Sequence, residues 1–300
     1  MKRLSCLALC LCMLGSWLPF AAQAANAGST AQNEWISGET IKAKKTGATS
    51  FNIRGLDGKK DYQTTYRNDG YHTAVSVDGG SKQREPKNTI ASGLQLDVDL
   101  EKYSDTYIKV QYTLKNTGAK AHTVRVAGYA DVMIDNNDRA PICATEDGGN
   151  TLLMTGAPQN DYAFRLVATT CDTVWYGLWS MRIKECFTDL ENRGPDYVYS
   201  RDSGLAYFWT ATVRPGNHHQ GQAPLKPNSC TSRYVLIGTG SEEQMTVEIP
   251  QIPVPAPGIP EAEITLNTGE VYLTEGDALP DWNSYIAALQ GTLRITGQPA

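Results

Sequence analysis

Strict alternation of apolar and polar residues is the feature that most constrains the fold of this chain. In residues 94–100 (LQLDVDL) and 108–114 (IKVQYTL), every second residue is apolar and the residues between are polar or charged. Successive side chains of a β-strand point to opposite faces, so each segment predicts a strand with one buried and one solvated face. Residues 116–118 (NTG) then predict a turn, after which the alternation resumes at 124–126.

The same pattern recurs along the chain, and no segment of helical length has a convincing apolar stripe with the period of a helix. Further strand candidates are Phe164–Ala168, Leu205–Val213, Arg233–Ile237 and Met245–Ile249. One-sided strands of this kind are typical of antiparallel sheets. The sequence therefore predicts an all-β fold, a large antiparallel β-sandwich over residues 25–249, with a short β segment after it.

Residues 1–24 have the three-part composition of a secretory signal peptide. A basic start at 2–3 precedes an apolar run, and small residues at 22–24 provide a cleavage site. A membrane anchor is the alternative, but Gly15 and Pro19 interrupt the run before it reaches about 20 apolar residues. We expect cleavage after residue 24 and a secreted, extracellular chain, in some settings associated with a cell surface, with no membrane insertion after cleavage.

The charge balance argues against some partners. The chain has a formal net charge of −5, and removal of the basic signal peptide makes it more acidic. Nucleic acids and anionic membranes are bound through clusters of Lys and Arg, and the sequence has no basic stripe. We therefore expect no nucleic-acid partner.

The cysteines predict two disulfides. Three of the seven cysteines lie in the signal peptide, and the four that remain are Cys143, Cys171, Cys186 and Cys230. An even number in an oxidising compartment favours disulfides, and the absence of a close Cys pair argues against zinc. Three pairings are possible; Cys143–Cys171 with Cys186–Cys230 is favoured because it closes two separate loops.

A proline-rich segment divides the chain. Residues 250–261 (PQIPVPAPGIPE) contain five prolines, which favour extended geometry and predict a semi-rigid linker. Residues 262–300 alternate again but are few for an independent sandwich. They can be a small β module, half of an immunoglobulin-like repeat, or a piece that packs on the main domain.

Four runs stand in a recognisable order: DVMIDNNDRAPI (131–142), WYGLW (175–179), RDSGLAYFW (201–209) and YVLIGTG (234–240). Together they resemble a poorly characterised β-sandwich module of exported and cell-surface proteins of Gram-positive bacteria, whose architecture is similar to that of galactose-mutarotase-like domains. The resemblance covers roughly residues 35–249 and implies a secreted or surface module with no activity that can be carried over. The tail is loosely similar to immunoglobulin-like repeats, and the longer segment His218–Cys230 departs from the pattern.

The acidic stretch 131–142 has two interpretations. Asn136–Asp138 are residue types whose side chains bond nearby backbone amides, so they predict a polar turn. Alternatively, calcium takes oxygen ligands from Asp135, Asn137 and Asp138. Calcium needs about six or more oxygens, so loops elsewhere, such as Glu146 and Asp147, would have to contribute. We favour the turn and expect no cofactor, with calcium as the alternative.

Aromatic residues give a second set of candidates. Trp175, Tyr176 and Trp179 crowd one segment, and residues 207–209 (YFW) crowd another. Sugars bind through aromatic faces, so Trp175, Tyr176 and Trp179 are the candidate ligand-binding residues. Neighbours on a strand point to opposite faces, however, so at most one of Trp175 and Tyr176 is outside, and we give core packing more weight.

No motif identifies a catalytic residue. The histidines are His72, His122, His218 and His219, and none lies in a motif of known chemistry. The sequence favours a non-catalytic secreted or cell-surface binding or structural module, for adhesion or carbohydrate binding, with a glycan or another surface protein as partner. The alternative is a carbohydrate-active enzyme, epimerase-like or lyase-like, for which a cleft gathering a histidine with two carboxylates would be the sign.

Overall fold

The structure, a computed structural model, describes residues 34–58, 60–146, 150–182, 193–215, 230–247 and 250, and the backbone of strands at 261–265 and 292–296. The chain divides into two compact units, Met1–Ile249 and Pro250–Ala300. The first contains two antiparallel sheets, which confirms the predicted all-β sandwich. Several predicted features lie outside the described residues: the signal peptide, Asp147, Cys186, His218, His219, and most of the linker and tail.

The larger sheet has nine strands in the order β1-β2-β3-β5-β10-β15-β14, with β4 paired to β3 and β6 paired to β5. These strands are β1 (Ile36–Ser37), β2 (Ile41–Lys45), β3 (Phe51–Asp57), β4 (Lys60–Gln63), β5 (Tyr71–Val77), β6 (Gln83–Arg84), β10 (His122–Asp131), β14 (Thr173–Leu178) and β15 (Ser203–Val213).

The smaller sheet has seven strands in the order β11-β12-β13-β16-β9-β8-β7. These strands are β7 (Thr89–Ala91), β8 (Leu94–Lys102), β9 (Tyr107–Asn116), β11 (Ile142–Ala144), β12 (Thr151–Thr155), β13 (Tyr162–Val167) and β16 (Cys230–Ser241). In the second unit, β17 (Glu261–Thr265) pairs with β18 (Thr292–Thr296). The described α-helices of the first unit are short: α1 (Trp179–Arg182) follows β14, and α2 (Glu242–Val247) follows β16.

The alternation read from the sequence sets the register of β8 and β9. Leu96 pairs with Leu114 and Val98 pairs with Tyr112, so their apolar residues share one face. That face belongs to the main core, which gathers buried residues from both sheets.

A second, smaller apolar cluster lies on the opposite face of the nine-stranded sheet. Val124 and Val126 of β10 belong to the main core, whereas Ala127 and Tyr129 of the same strand belong to this outer cluster. The cluster also contains Ala74, Trp175, Ala206 and Phe208, with Trp179 packed against it. The nine-stranded sheet is therefore apolar on both faces at its centre.

The strand predicted at Met245–Ile249 is wrong. A short helix, α2 (Glu242–Val247), occupies most of that segment, and 248–249 lie outside the described residues. The Ser241 backbone N–H donates to Gln244 Oε1 (3.0 Å) and the Gln244 backbone N–H donates to Ser241 Oγ (3.2 Å). This reciprocal pair is a capping box, which starts a helix where the apolar pattern alone suggested a strand.

The predicted disulfides are not present among the described cysteines, since Cys143, Cys171 and Cys230 are free. Cys143 lies between Ile142 and Ala144, which belong to the core, so its own side chain faces away, whereas Cys171 is buried in the core. A disulfide needs Cβ atoms that face each other at about 4 Å, and opposite orientations prevent this for Cys143–Cys171. Burial raises the pKa of both thiols, which keeps them protonated and poorly reactive.

Candidate functional site

The acidic stretch 131–142 forms the predicted turn. Backbone hydrogen bonds join Ile134 and Asn137 in both directions (3.2 and 2.8 Å), and Asp135 has a left-handed φ of 53°. The side-chain Oδ1 of Asn137 accepts the backbone N–H of Arg139 at 3.0 Å. An Asn side chain that bonds the amide two residues on is the expected chemistry of such a turn.

The three calcium candidates, Asp135, Asn137 and Asp138, each contact different groups. The Nδ2 of Asn137 donates to Gln159 Oε1 (2.9 Å), so both ends of that side chain are engaged. One Asp135 oxygen lies 4.0 Å from Lys60 Nζ. Asp138 instead belongs to a different group, in which carboxylate oxygens of Asp131, Asp138 and Asp202 lie within 4.8 Å of one another.

This three-carboxylate group depends on the pairing of β10 with β15. Asp131 ends β10 and Asp202 precedes β15, and the register pairs Asp131 with Gly204. Burial raises the pKa of Asp138, and the negative charge of Asp202 raises it further. Sequence reasoning singled out Asp131 and Asp138 but missed Asp202, because no local pattern connects residues so distant in the chain. Acidic residues converge in many proteins without an ion, so proximity alone assigns no metal here.

The aromatic candidates are mostly buried. Tyr176 is in the main core, fully buried, and Trp175 is in the outer cluster with 3% of its surface exposed. Trp179 is partly buried, and its ring stacks on Tyr129 with centroids 6.3 Å apart. The opposite orientation of Trp175 and Tyr176 matches the alternation of β14, and both serve packing.

Guanidinium groups lie over the outer aromatic cluster. The Arg193 group lies 5.4 Å from the Trp175 ring centroid, and the Arg125 group lies 4.8 Å from that of Phe208. Cation–π contacts of this kind stabilise a covered aromatic surface. The cluster is therefore a second core and not an open stacking platform.

One histidine does gather two carboxylates. Asp69 Oδ2 lies 3.1 Å from Nε2 of His72, and Glu85 Oε1 lies 2.9 Å from Nδ1, although the second contact lacks the angle of a hydrogen bond. The ring also packs near Tyr129 (5.5 Å). The side chains of Asp69 and Glu85 are 64% and 54% exposed, so these contacts lie at the surface and are screened by solvent.

The remaining described histidine is also paired. His122 Nδ1 lies 2.8 Å from Asp78 Oδ2, and this contact, together with the backbone N–H of Thr123, lowers the pKa of Asp78. His122 begins β10 and Asp78 directly follows β5, and these two strands pair with each other. We assign this contact to the surface hydrogen bonds that join neighbouring strands.

A cleft with a volume of about 390 Å³ lies at the junction of the two sheets and is lined by described residues. It lies where the ends of β3 and β16 and the starts of β13 and β2 meet α2. Thr40 and Thr239 exchange reciprocal hydrogen bonds (2.5 and 2.6 Å) between hydroxyl and carbonyl groups across this junction. The cleft is thus held by bonds between the sheets and does not depend on a ligand to form.

Two stacked tyrosines form one wall of the cleft. The rings of Tyr62 and Tyr162 are parallel to within 2°, with centroids 4.2 Å apart. Tyr62 is 1% exposed and its hydroxyl donates to the Gly240 carbonyl (3.4 Å), whereas Tyr162 is partly exposed. One face of Tyr162 is covered by Tyr62, so the exposed part of the ring lies on its other side and edge.

Carboxylates supply the polar groups of the cleft. Glu39, Asp57 and Asp161 line it, and each is exposed. The Tyr162 hydroxyl donates to Asp57 Oδ2 (2.9 Å), and this hydrogen bond is the main reason that the pKa of Tyr162 is raised. The phenol therefore stays protonated at neutral pH and acts as a hydrogen-bond donor. Among the described residues that line the cleft there is no His, Cys, Lys or Arg.

Sequence reasoning missed the cleft entirely. Its side chains come from segments around positions 39, 57, 161 and 244, which are far apart in the chain. The one local signal was the motif Ser241–Gln244 (SEEQ), since a capping box predicts the helix that borders the cleft.

Comparisons with known proteins add no assignment: no protein-family model matches the chain, and no curated protein is similar to it. Within the described residues, none of the helices has both the length and the apolar character needed to span a membrane.

Proposed function

We propose that this chain is an exported, non-catalytic binding module, that its ligand is a carbohydrate, and that the ligand binds in the cleft at Tyr162. The observation that carries the proposal is the preformed cleft, with its stacked tyrosine wall and ring of exposed carboxylates. Export rests on the composition of residues 1–24, and the resemblance to surface modules is consistent with it.

The chemistry of the cleft suits a sugar. The exposed part of the Tyr162 ring offers an apolar surface on which the C–H groups of a pyranose can pack. Asp57, Asp161 and Glu39 offer acceptors for sugar hydroxyls, and hydrogen bonds to ionised groups are the stronger kind. A volume near 390 Å³ is at the small end of the range for ligand sites, which fits one sugar residue of a longer chain.

The same geometry argues against the enzyme alternative. Acid–base catalysis at neutral pH most often uses a histidine, and none lines the described part of the cleft. His72 has the two neighbouring carboxylates that the enzyme alternative requires, but it does not line the cleft. Binding without turnover is the function that these contacts support best.

Titration calorimetry with neutral methyl hexosides and short neutral oligosaccharides tests the proposal. At about 0.3 kcal/mol for each of its roughly 13 non-hydrogen atoms, a methyl hexoside has an expected Kd of about 1 mM. Tyr162→Leu removes the stacking ring and is expected to weaken binding by about tenfold.

Tyr103→Leu is the matched control, since Tyr103 is 43% exposed and does not line the cleft. Circular dichroism and thermal melts of both variants establish that each is folded. Equal affinities for the native protein and Tyr162→Leu would place the ligand elsewhere. The absence of binding to any neutral sugar tested, at concentrations well above the expected Kd, would overturn the carbohydrate assignment.

A further inference from the structure

The cleft carries an excess of negative charge that the described residues do not balance. Glu39, Asp57 and Asp161 line it, and no Lys or Arg among the described residues does. Like charges on one small surface repel each other, and that repulsion is relieved when a cation binds between them. A neutral sugar would use these groups only as hydrogen-bond acceptors.

The described lysines nearest in the chain to the cleft carboxylates are directed to other partners. Lys42, which is as close in sequence to Glu39 as Lys60 is to Asp57, has its Nζ 2.5 Å from Asp61. Lys60 pairs with Asp57 in the register of the β3–β4 hairpin, yet its Nζ lies 4.0 Å from Asp135. The Lys60 side chain is 67% exposed, so solvent screens its charge strongly. Asp57 accepts a hydrogen bond from the Tyr162 hydroxyl, which is a neutral donor and brings no positive charge to the cleft.

The aromatic wall reinforces the preference for positive charge. A cation near the face of a tyrosine ring is attracted by the negative face of its π-system. Tyr162 is the partly exposed ring of the stacked pair, and its hydroxyl is bonded to Asp57. A cationic group that approaches this ring therefore meets the ring and the carboxylate together.

We propose that the cleft selects a carbohydrate that bears a protonated amino group, in which the sugar ring packs on Tyr162 and the ammonium group lies among Asp57, Asp161 and Glu39. This inference rests on the carbohydrate function proposed above and names the substrate class of the same site. The ammonium group supplies three N–H donors, and the carboxylates supply the acceptors.

Three probes that share one sugar ring test the inference. They are a methyl hexoside, the corresponding methyl 2-amino-2-deoxyhexoside in its protonated form, and the N-acetyl derivative of the latter, which is neutral. We expect the amino sugar to bind about five to ten times more tightly than either neutral probe at low salt, because several weak, partly screened charge pairs act together. That advantage is expected to shrink as salt is raised, whereas the affinity of the neutral probes stays constant.

Asp161→Asn is the informative variant, since it removes one charge and keeps the shape of the side chain. It is expected to weaken the amino sugar more than the neutral probes, and so to reduce the advantage of the amino sugar by about half or more on a logarithmic scale. The neutral probes are expected to lose affinity by a smaller factor, because the Asn amide oxygen still accepts a hydrogen bond from a sugar hydroxyl. Asp196→Asn is the matched control, because Asp196 is exposed and does not line the cleft. It is expected to change neither affinity.

The outcomes separate the two proposals. Equal binding of all three probes, lost in Tyr162→Leu, would overturn the charge inference and leave the carbohydrate function standing. The inference would also be overturned if neither Asp161→Asn nor Tyr162→Leu changed the affinity for the amino sugar. The ammonium group would then bind at a different site. Failure of all three probes to bind would remove both proposals.

Discussion

At the scale of single residues, the surroundings of each carboxylate decide what it contributes. Asp57 and Asp161 are exposed at the cleft, where their carboxylate oxygens are accessible to hydrogen-bond donors. Asp138 is partly buried, has one oxygen without a hydrogen-bond partner, and faces Asp131 and Asp202. The same residue type is therefore suited to binding at the first place and is a source of strain at the second.

The Asp138 carboxyl provides a pH-dependent prediction. Because its folded-state pKa is raised, its contribution to stability is fully present below its unfolded-state pKa and is lost as pH rises through the folded-state pKa. Asp138→Asn is therefore expected to raise the free energy of unfolding at pH 7 by roughly 0.5 kcal/mol, a figure reduced for solvent screening. Urea denaturation at pH 7 and at acidic pH measures this gain, which should disappear at the lower pH.

Asp135→Asn is the control, because Asp135 lies in the same turn but outside the three-carboxylate group. The calcium alternative predicts the opposite behaviour for Asp138→Asn. A loss of stability at pH 7 that appears with added calcium and vanishes with chelator would contradict our expectation and make this group a metal site.

At the scale of the elements, glycine–tyrosine pairs join neighbouring strands. The registers pair Gly55 with Tyr62, Gly128 with Tyr207, and Gly238 with Tyr107. In each pair a Cβ built on the glycine would overlap the tyrosine ring. The tyrosine thus covers its cross-strand glycine, an arrangement that compensates for the missing side chain in a strand. The first of these pairs places Tyr62 against the cleft.

Gly128→Ala is expected to destabilise the sandwich. The new methyl group would displace the Tyr207 ring, which is fully packed in the core and bonded to the Tyr112 hydroxyl at 2.7 Å. Overpacking of a core typically costs about 1–3 kcal/mol. Chemical denaturation measures the loss, with Gly194→Ala as control, since a Cβ at that position meets no atom within 4 Å. A change below about 0.5 kcal/mol would show that Tyr207 has room to move.

At the scale of the whole molecule, the main core lies within one of the two units. Its residues run from Ile41 to Ile237 and come from strands of both sheets. The second unit begins at Pro250 and contains the β17–β18 pair. The described residues of the first unit therefore form, among themselves, an interior of the kind found in a domain.

A truncated chain tests this independence. Residues 25–249 are expected to fold and to melt within about 3 °C of residues 25–300, which corresponds to about 1 kcal/mol for a domain of this size. Differential scanning calorimetry measures both transitions. A larger decrease in Tm, or aggregation of the shorter chain alone, would mean that residues 250–300 contribute to the stability of the sandwich.

Sequence reasoning predicted some elements well and others not at all, for identifiable reasons. Residues 94–100 and 108–114 alternate strictly, and they are β8 and β9. Strands such as β2 (IKAKK) and β3 (FNIRGLD) were not predicted, because Lys45 and Gly55 stand at buried positions where the alternation calls for a large apolar residue. Pairing with neighbouring strands stabilises the extended conformation of these segments, which their own residue pattern does not predict.

The sequence by itself determined the local structure of this protein, that is, strands, their buried faces and the turn at 131–142. These features follow from a two-residue period and from turn chemistry, which both act between residues close in the chain. Tertiary structure alone decided which strands pair, and therefore which distant side chains meet. Glu39, Asp57, Asp161 and Tyr162 form one cleft, and Asp202 joins Asp131, only because antiparallel pairing and sheet packing bring remote segments together. No pattern within a single segment encodes such a convergence, since the free energy that produces it comes from burial shared by the entire core.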